Sequence, residues 1–146
     1  MVETVDKIMT RKVVTCSPET SIMDAAKKMR KKTISSVVVV LNKKPIGIVT
    51  ERDFTRKVVS VNLDAKKNNV SKIMTSPVIS IPPNTNIYYA NEYMQKKKFR
   101  RFPVTNEKGE LIGIITQRDL LDYFTAQRKK FVMGNLSKEL RKSYPI

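Results

Sequence analysis

The sequence predicts an α+β fold built from two β-α-β-β-α units packed about a pseudo-twofold axis. Three observations carry this. Gly47-Ile48-Val49-Thr50-Glu51-Arg52-Asp53 returns as Gly113-Ile114-Ile115-Thr116-Gln117-Arg118-Asp119. Upstream, Val5-Asp6-Lys7-Ile8-Met9-Thr10 is matched 65 residues later by Val70-Ser71-Lys72-Ile73-Met74-Thr75, with Pro18 and Pro83, Ala25 and Ala90, Met29 and Met94 in step. Within each copy, apolar residues switch between helical and strand-like patterns. A unit of about 60 residues buries a modest share of its surface and is marginal alone. One compact domain over residues 1 to about 125 is therefore expected.

The elements of the first unit, 1–60, follow in order. Residues 3–9 read as a short helix and Val13 to Thr15 as a strand. Ser17-Pro18-Glu19-Thr20 is turn chemistry before a helix start. Ile22, Ala25, Ala26 and Met29 fall at i, i+3, i+4 and i+7, giving a helix over 21–31 with Lys27, Lys28, Arg30 and Lys31 outside. Ser36 to Leu41 contains four consecutive valines, the pattern of a strand covered on both faces. Asn42-Lys43-Lys44 turns the chain into a strand from Pro45 to Thr50, and Glu51 to Val59 forms the second helix. The second copy carries one extra residue here, which fits a surface turn.

After a polar linker, 61–69, the second unit spans 70–126. Its expected elements are a strand from Val78 to Ile81, a helix from Asn86 to Lys97, strands from Arg101 to Thr105 and Leu111 to Thr116, and a helix from Gln117 to about Ala126. The tail, 127–146, is basic and without a counterpart. Phe131, Val132, Leu136 and Leu140 form a partial apolar stripe interrupted by Gly134-Asn135, which predicts helix.

Composition narrows the function. No apolar run approaches the 18 or more residues that span a bilayer, so no membrane role is expected. No secretion signal is read at the start, and the single cysteine, Cys16, suits a reducing compartment; a cytoplasmic location is expected. Cys16 aligns with Ile81 and reads as a small buried apolar residue. Histidine is absent, removing the commonest general base and metal ligand, and four glycines are too few for a phosphate-cradling loop. The chain is expected not to be an enzyme and to require no cofactor or metal. The net charge of +16 points to nucleic acid, an acidic partner or phosphorylated ligands, and equally to a lysine-rich solvated surface.

The doubled motif has two readings. Thr50 and Thr116 are natural N-caps, and an aspartate three residues on completes a capping box, a purely structural device. The same junction offers a helix N-terminus to an anion, and an ionised Asp53 or Asp119 accepts hydrogen bonds as a ribose diol donates them. Gly47 and Gly113 allow close approach, by a ligand or by a tight neighbour. Arg52 and Arg118 are expected to point to solvent or a neighbouring subunit.

With the Lys-Ile-Met-Thr openings and Arg101-Phe102-Pro103-Val104, the order β-α-β-β-α closed twice by this motif resembles a tandem CBS-domain pair over residues 3 to about 125. The resemblance implies two units packed by their sheets, with two clefts that bind AMP, ADP, ATP or S-adenosylmethionine. It implies Asp53 and Asp119 as ribose ligands, accompanied by Thr50 and Thr116. It places Ser35, Ser36, Arg100 and Arg101 at adenine and phosphate, and Val14, Ile79, Ile48, Ile114 and Pro103 along the apolar walls. It also implies pairing across units: Asp53 with Arg100, Arg101 and Ile79, and Asp119 with Ser35, Ser36 and Val14.

Arginines clamp phosphate while serines offer neutral hydroxyls, so the Asp53 cleft is expected to favour phosphorylated nucleotides and the Asp119 cleft to bind more weakly. The expected function is a non-catalytic regulatory module sensing adenine nucleotides, working as a homodimer and read by a protein target. The alternative is nucleic-acid binding through the basic surface and tail.

Overall fold

The computed structural model describes residues 3–143. In the first half, β1 (Thr15–Cys16), β2 (Ser36–Leu41) and β3 (Lys44–Thr50) form one sheet, β1 parallel to β2 and β2 antiparallel to β3. Helix α1 (Ile22–Lys32) joins β1 to β2. Ser21 caps it by accepting from the Asp24 amide, and it buries Ile22, Ala25 and Met29. Helix α2 (Glu51–Phe54) continues as a wider π-type turn over Thr55–Val59. Thr55 and Ser60 hydroxyls donate back to the Glu51 and Arg56 carbonyls, competing with regular helical bonding.

The second half repeats this with α3 (Ile87–Lys97), β4 (Arg101–Thr105), β5 (Leu111–Thr116) and α4 (Gln117–Asn135). The registers agree: Val39 faces Gly47 as Val104 faces Gly113, and each ladder shifts at that point. The hairpin turns differ as the length difference requires. Asn42 and Lys43 take positive φ in the shorter one, whereas Gly109, at φ 78°, serves the longer.

Several elements depart from expectation: β1 is Thr15–Cys16 and not Val13 to Thr15, and the helix expected over 3–9 is a single 3-10 turn at Val5–Lys7. The strand over Val78 to Ile81 reduces to a single parallel bridge between Ile81 and Val104. Pro77 precedes it and Pro82-Pro83 follow it, so the ladder loses backbone donors on both sides. Helix α4 does not stop near Ala126 but runs to Asn135, through the first part of the basic tail. Ala126 to Lys130 are good helix formers, and no glycine intervenes before Gly134. A short α5 (Lys138–Ser143) follows.

The apolar residues form two clusters, and their membership crosses the repeat boundary. The first contains Cys16, Ile22, Ala25, Met29, Val37, Val39, Val49 and Val58, together with Val70 and Ile73 from the start of the second repeat. The second contains Ile81, Ile87, Ala90, Met94, Phe102, Val104, Ile115 and Leu120, together with Val5 and Met9 from the start of the first. Each Lys-Ile-Met-Thr segment thus packs on the other copy. Backbone bonds secure the exchange: Val5 and Asp6 donate to Thr85 and Pro83, while Val70 and Ser71 donate to Thr20 and Pro18. Thr10 pairs with Ile114, and Thr75 with Ile48. Gly47 and Gly113 are needed for this contact, because a Cβ at either would overlap the side chain of Met74 or Met9 respectively.

Candidate functional site

Both strand-to-helix junctions are complete capping boxes. Asp53 Oδ2 accepts from the Thr50 amide at 2.9 Å, and the Asp53 amide donates to Thr50 Oγ1 at 3.4 Å. Asp119 Oδ2 accepts from the Thr116 amide at 2.9 Å, and its own amide donates to Thr116 Oγ1 at 3.1 Å. The next donor is also used: the Glu51 amide bonds the Ser35 carbonyl, and the Gln117 amide bonds the Arg100 carbonyl. Of the amides at the start of each helix, this leaves Arg52 and Arg118. The helix termini are therefore largely spent on their own caps, and one amide at each, that of Arg52 or Arg118, remains for an anion.

Two cavities lie at these junctions. The larger, about 900 Å³, is lined by Val14, Ser35, Ser36 and Val38 from the first half and by Arg100, Arg101, Ile114 and Thr116 from the second. The smaller, about 410 Å³, is lined by Ser35, Ile48, Thr50, Ile79, Arg100 and Arg101. Val38 and Ile48 are buried but belong to neither core cluster, and each faces one cavity.

The structure brings Thr50 together with Ile79, Arg100 and Arg101, and Thr116 together with Val14, Ser35 and Ser36. It does not divide the walls into an arginine cleft and a serine cleft. Arg100, Arg101, Ser35 and Glu51 line both cavities, because the residues leading into β2 and β4 meet between them. Lys12, Arg30 and Arg118 add positive charge to the larger cavity, Arg52 and Lys98 to the smaller. Asp53, Asp119 and Pro103 are not on either wall. Asp53 is 7% exposed beneath its cap, and Pro103 is buried within β4.

Sequence reasoning missed Thr10 and Thr75, which line the larger and smaller cavity, whereas Arg52 and Arg118, expected to face solvent or a neighbouring subunit, are exposed and also line the smaller and larger cavity. A signal for the threonines was available, since both end the repeated Lys-Ile-Met-Thr. Lys12 and Arg30 have no such signal and reach the wall only through folding.

Arg101 dominates the electrostatics. Its Nη1 is buried without a hydrogen-bond partner among the described residues. Burial pushes its guanidinium below the ordinary arginine range, Arg100 pushes it further, and Glu51 and Asp53 partly offset both. Arg101 of the second half thus sits in the field of Asp53 of the first. A desolvated cation with an unused donor, walled by apolar strand residues and neutral hydroxyls, is equipped to take an anionic oxygen. Among the described residues no group of three or more His, Cys, Asp or Glu gathers as a metal site, and no helix is long and apolar enough to cross a membrane.

The CBS domain profile matches residues 5–60 and again 70–126. The chain belongs to the CBS domain family. Its fold is the α+β fold of CBS-domain pairs. An uncharacterised protein of Methanopyrus kandleri is 36% identical over 139 residues, covering 94% of this chain and 68% of that protein. Inosine-5'-monophosphate dehydrogenase of Thermoplasma acidophilum is 34% identical over 116 residues, and there the match spans 80% of this chain but 22% of the enzyme. Among solved structures, the CBS domain pair of protein MJ0100, in complex with 5-methylthioadenosine and S-adenosyl-L-methionine, matches with a TM-score of 0.79 at 26% identity, covering 87% of this chain and 99% of that one. CBSX2 in complex with AMP matches with a TM-score of 0.73 at 26% identity, covering 86% and 98%. CBS pairs therefore occur both as separate proteins and inside an enzyme, and some hold adenosyl compounds.

Proposed function

We propose that this CBS pair is a non-catalytic regulatory module that binds an adenine nucleotide (AMP, ADP or ATP) or a related adenosyl compound between its two units. The observation that carries the reading is the buried Nη1 of Arg101, without a hydrogen-bond partner among the described residues, on the wall shared by both cavities. A phosphate oxygen would supply its missing acceptor. Thr50 and Thr116 stand at the cavity walls, with Asp53 and Asp119 hydrogen-bonded behind them. The AMP and S-adenosyl-L-methionine complexes of similar pairs support the same ligand class. A ligand touching both units shifts their relative orientation only if it binds one orientation better, and a protein target would read that shift.

The module is proposed to act as a homodimer. Tyr88 and Tyr89 on α3 and Leu121 and Phe131 on α4 are exposed, and the two helices adjoin through Tyr88 and Phe124 at 5.4 Å between ring centroids. Its single cysteine, Cys16, is buried and forms no disulfide, which suits a reducing, cytoplasmic setting.

The test is a thermal-shift titration of AMP, ADP, ATP and S-adenosylmethionine. At 100 times its Kd a ligand should stabilise the chain by roughly 2.7 kcal/mol. Asp53→Ala and Asp119→Ala should each reduce the gain after correction for the lost cap. No shift with any of these compounds refutes the proposal.

A further inference from the structure

The two aspartates are not equally available. Asp53 is fully engaged within the protein. Its Oδ2 accepts from the Thr50 amide at 2.9 Å and the Thr50 hydroxyl at 3.3 Å, and its Oδ1 is paired with Lys57 Nζ at 2.9 Å. Lys57 is itself anchored, since its Nζ also donates to the Ile73 carbonyl at 2.8 Å. The carboxylate is nine-tenths buried, and the ammonium is about half exposed. Four residues after Asp119 the sequence has Tyr123, which carries no charge there to give. Asp119 is half-buried, and among the described residues its Oδ1 has no hydrogen-bond or ion-pair partner.

We propose that Lys57 is the residue that sets the order in which the two clefts fill: by occupying Oδ1 of Asp53 it competes with the ribose hydroxyls and makes the Asp53 cleft the weaker one. This rests on the nucleotide reading above. A cis-diol donates two hydrogen bonds, and the best acceptor is a carboxylate with an oxygen to spare. Asp119 lies behind Thr116 of the larger cavity's wall, and among the described residues no protein group holds its Oδ1. Asp53 offers its own Oδ1 only after the Lys57 ammonium has left, and the ligand must make good the lost ion pair from its own binding energy. This order is the reverse of the one the sequence suggests. Arg100 and Arg101 line both cavities, whereas Lys57 pairs with one of the two aspartates alone.

The pairing also has a physical route outward. Ile73 lies in the segment that the second repeat lends to the first core, so Lys57 links Asp53 to that segment.

The test is calorimetric titration of the full chain with AMP and with 2'-deoxy-AMP, whose difference reports the diol. In an Asp119→Asn background, which isolates the Asp53 cleft, adding Lys57→Met should tighten AMP roughly fivefold, the scale of a half-exposed ion pair. It should leave 2'-deoxy-AMP nearly unchanged, and Lys57→Arg should behave as Lys57. No change, or an equal change for both nucleotides, overturns the inference. A second measurement does not depend on Lys57→Met folding. In the otherwise unmodified chain Asp119→Asn should remove the tighter AMP event and Asp53→Asn the weaker, and the opposite order overturns it. A chain that takes up no AMP defeats the nucleotide reading and this inference with it. A chain that binds AMP but shows either contrary result defeats the Lys57 inference alone.

Discussion

Arg101 is held where it costs stability. A buried guanidinium nitrogen with no hydrogen-bond partner among the described residues forfeits hydration, Arg100 repels it, and Glu51 and Asp53 offset this only in part. Residues in that position trade stability for binding. Arg101→Met keeps the apolar stem and removes the charge. In urea denaturation without ligand it should be more stable than the parent by about 1 kcal/mol, and its thermal shift with AMP should fall. A variant that loses stability and keeps the full AMP response would contradict the role given to Arg101.

At the scale of elements, both long helices that precede a central strand end in the left-handed region. Thr33 closes α1 at φ 53°, and Lys98 closes α3 at φ 58°. A β-branched residue is the worse of the two there. Thr33→Gly should therefore stabilise the chain by about 0.5–1 kcal/mol, measurable as a higher urea midpoint, while Lys98→Gly should gain less. The strand-to-helix junctions show how one device serves two ends. Capping satisfies most of the helix amides, leaving those of Arg52 and Arg118, so on the proposed reading an anion is met chiefly by side chains such as that of Arg101.

For the whole molecule, the exchange of the Lys-Ile-Met-Thr segments ties the two halves into one folding unit. Ile73 is 1% exposed in the core of the first half although it belongs by sequence to the second repeat. Ile73→Ala should cost about 2–4 kcal/mol and lower a single cooperative unfolding transition. Two separate transitions, with only the second half destabilised, would contradict the exchange. Light scattering should give twice the mass of one chain, and Tyr89→Glu should return it to the monomer. A monomer at every concentration would remove the homodimer.

Repetition made most of the fold legible. A motif written twice marks two units, and valine runs, turn residues and helical spacing place β2, β3, α1, α3, β4 and β5 within a residue or so, because each is set by local preference and one-sided burial. The capping boxes were legible for the same reason: they join residues three apart. What the tertiary structure alone decided is long-range. That Lys-Ile-Met-Thr of one copy completes the core of the other cannot be read locally, since both partners look equally apolar. That Arg100 and Arg101 serve both cavities follows from where two strand entrances meet. That Asp53 is ion-paired and Asp119, among the described residues, is not turns on a lysine held by a carbonyl 16 residues away. Local spacing says which residues share a face, but only the packed chain says which of them has an atom left to offer.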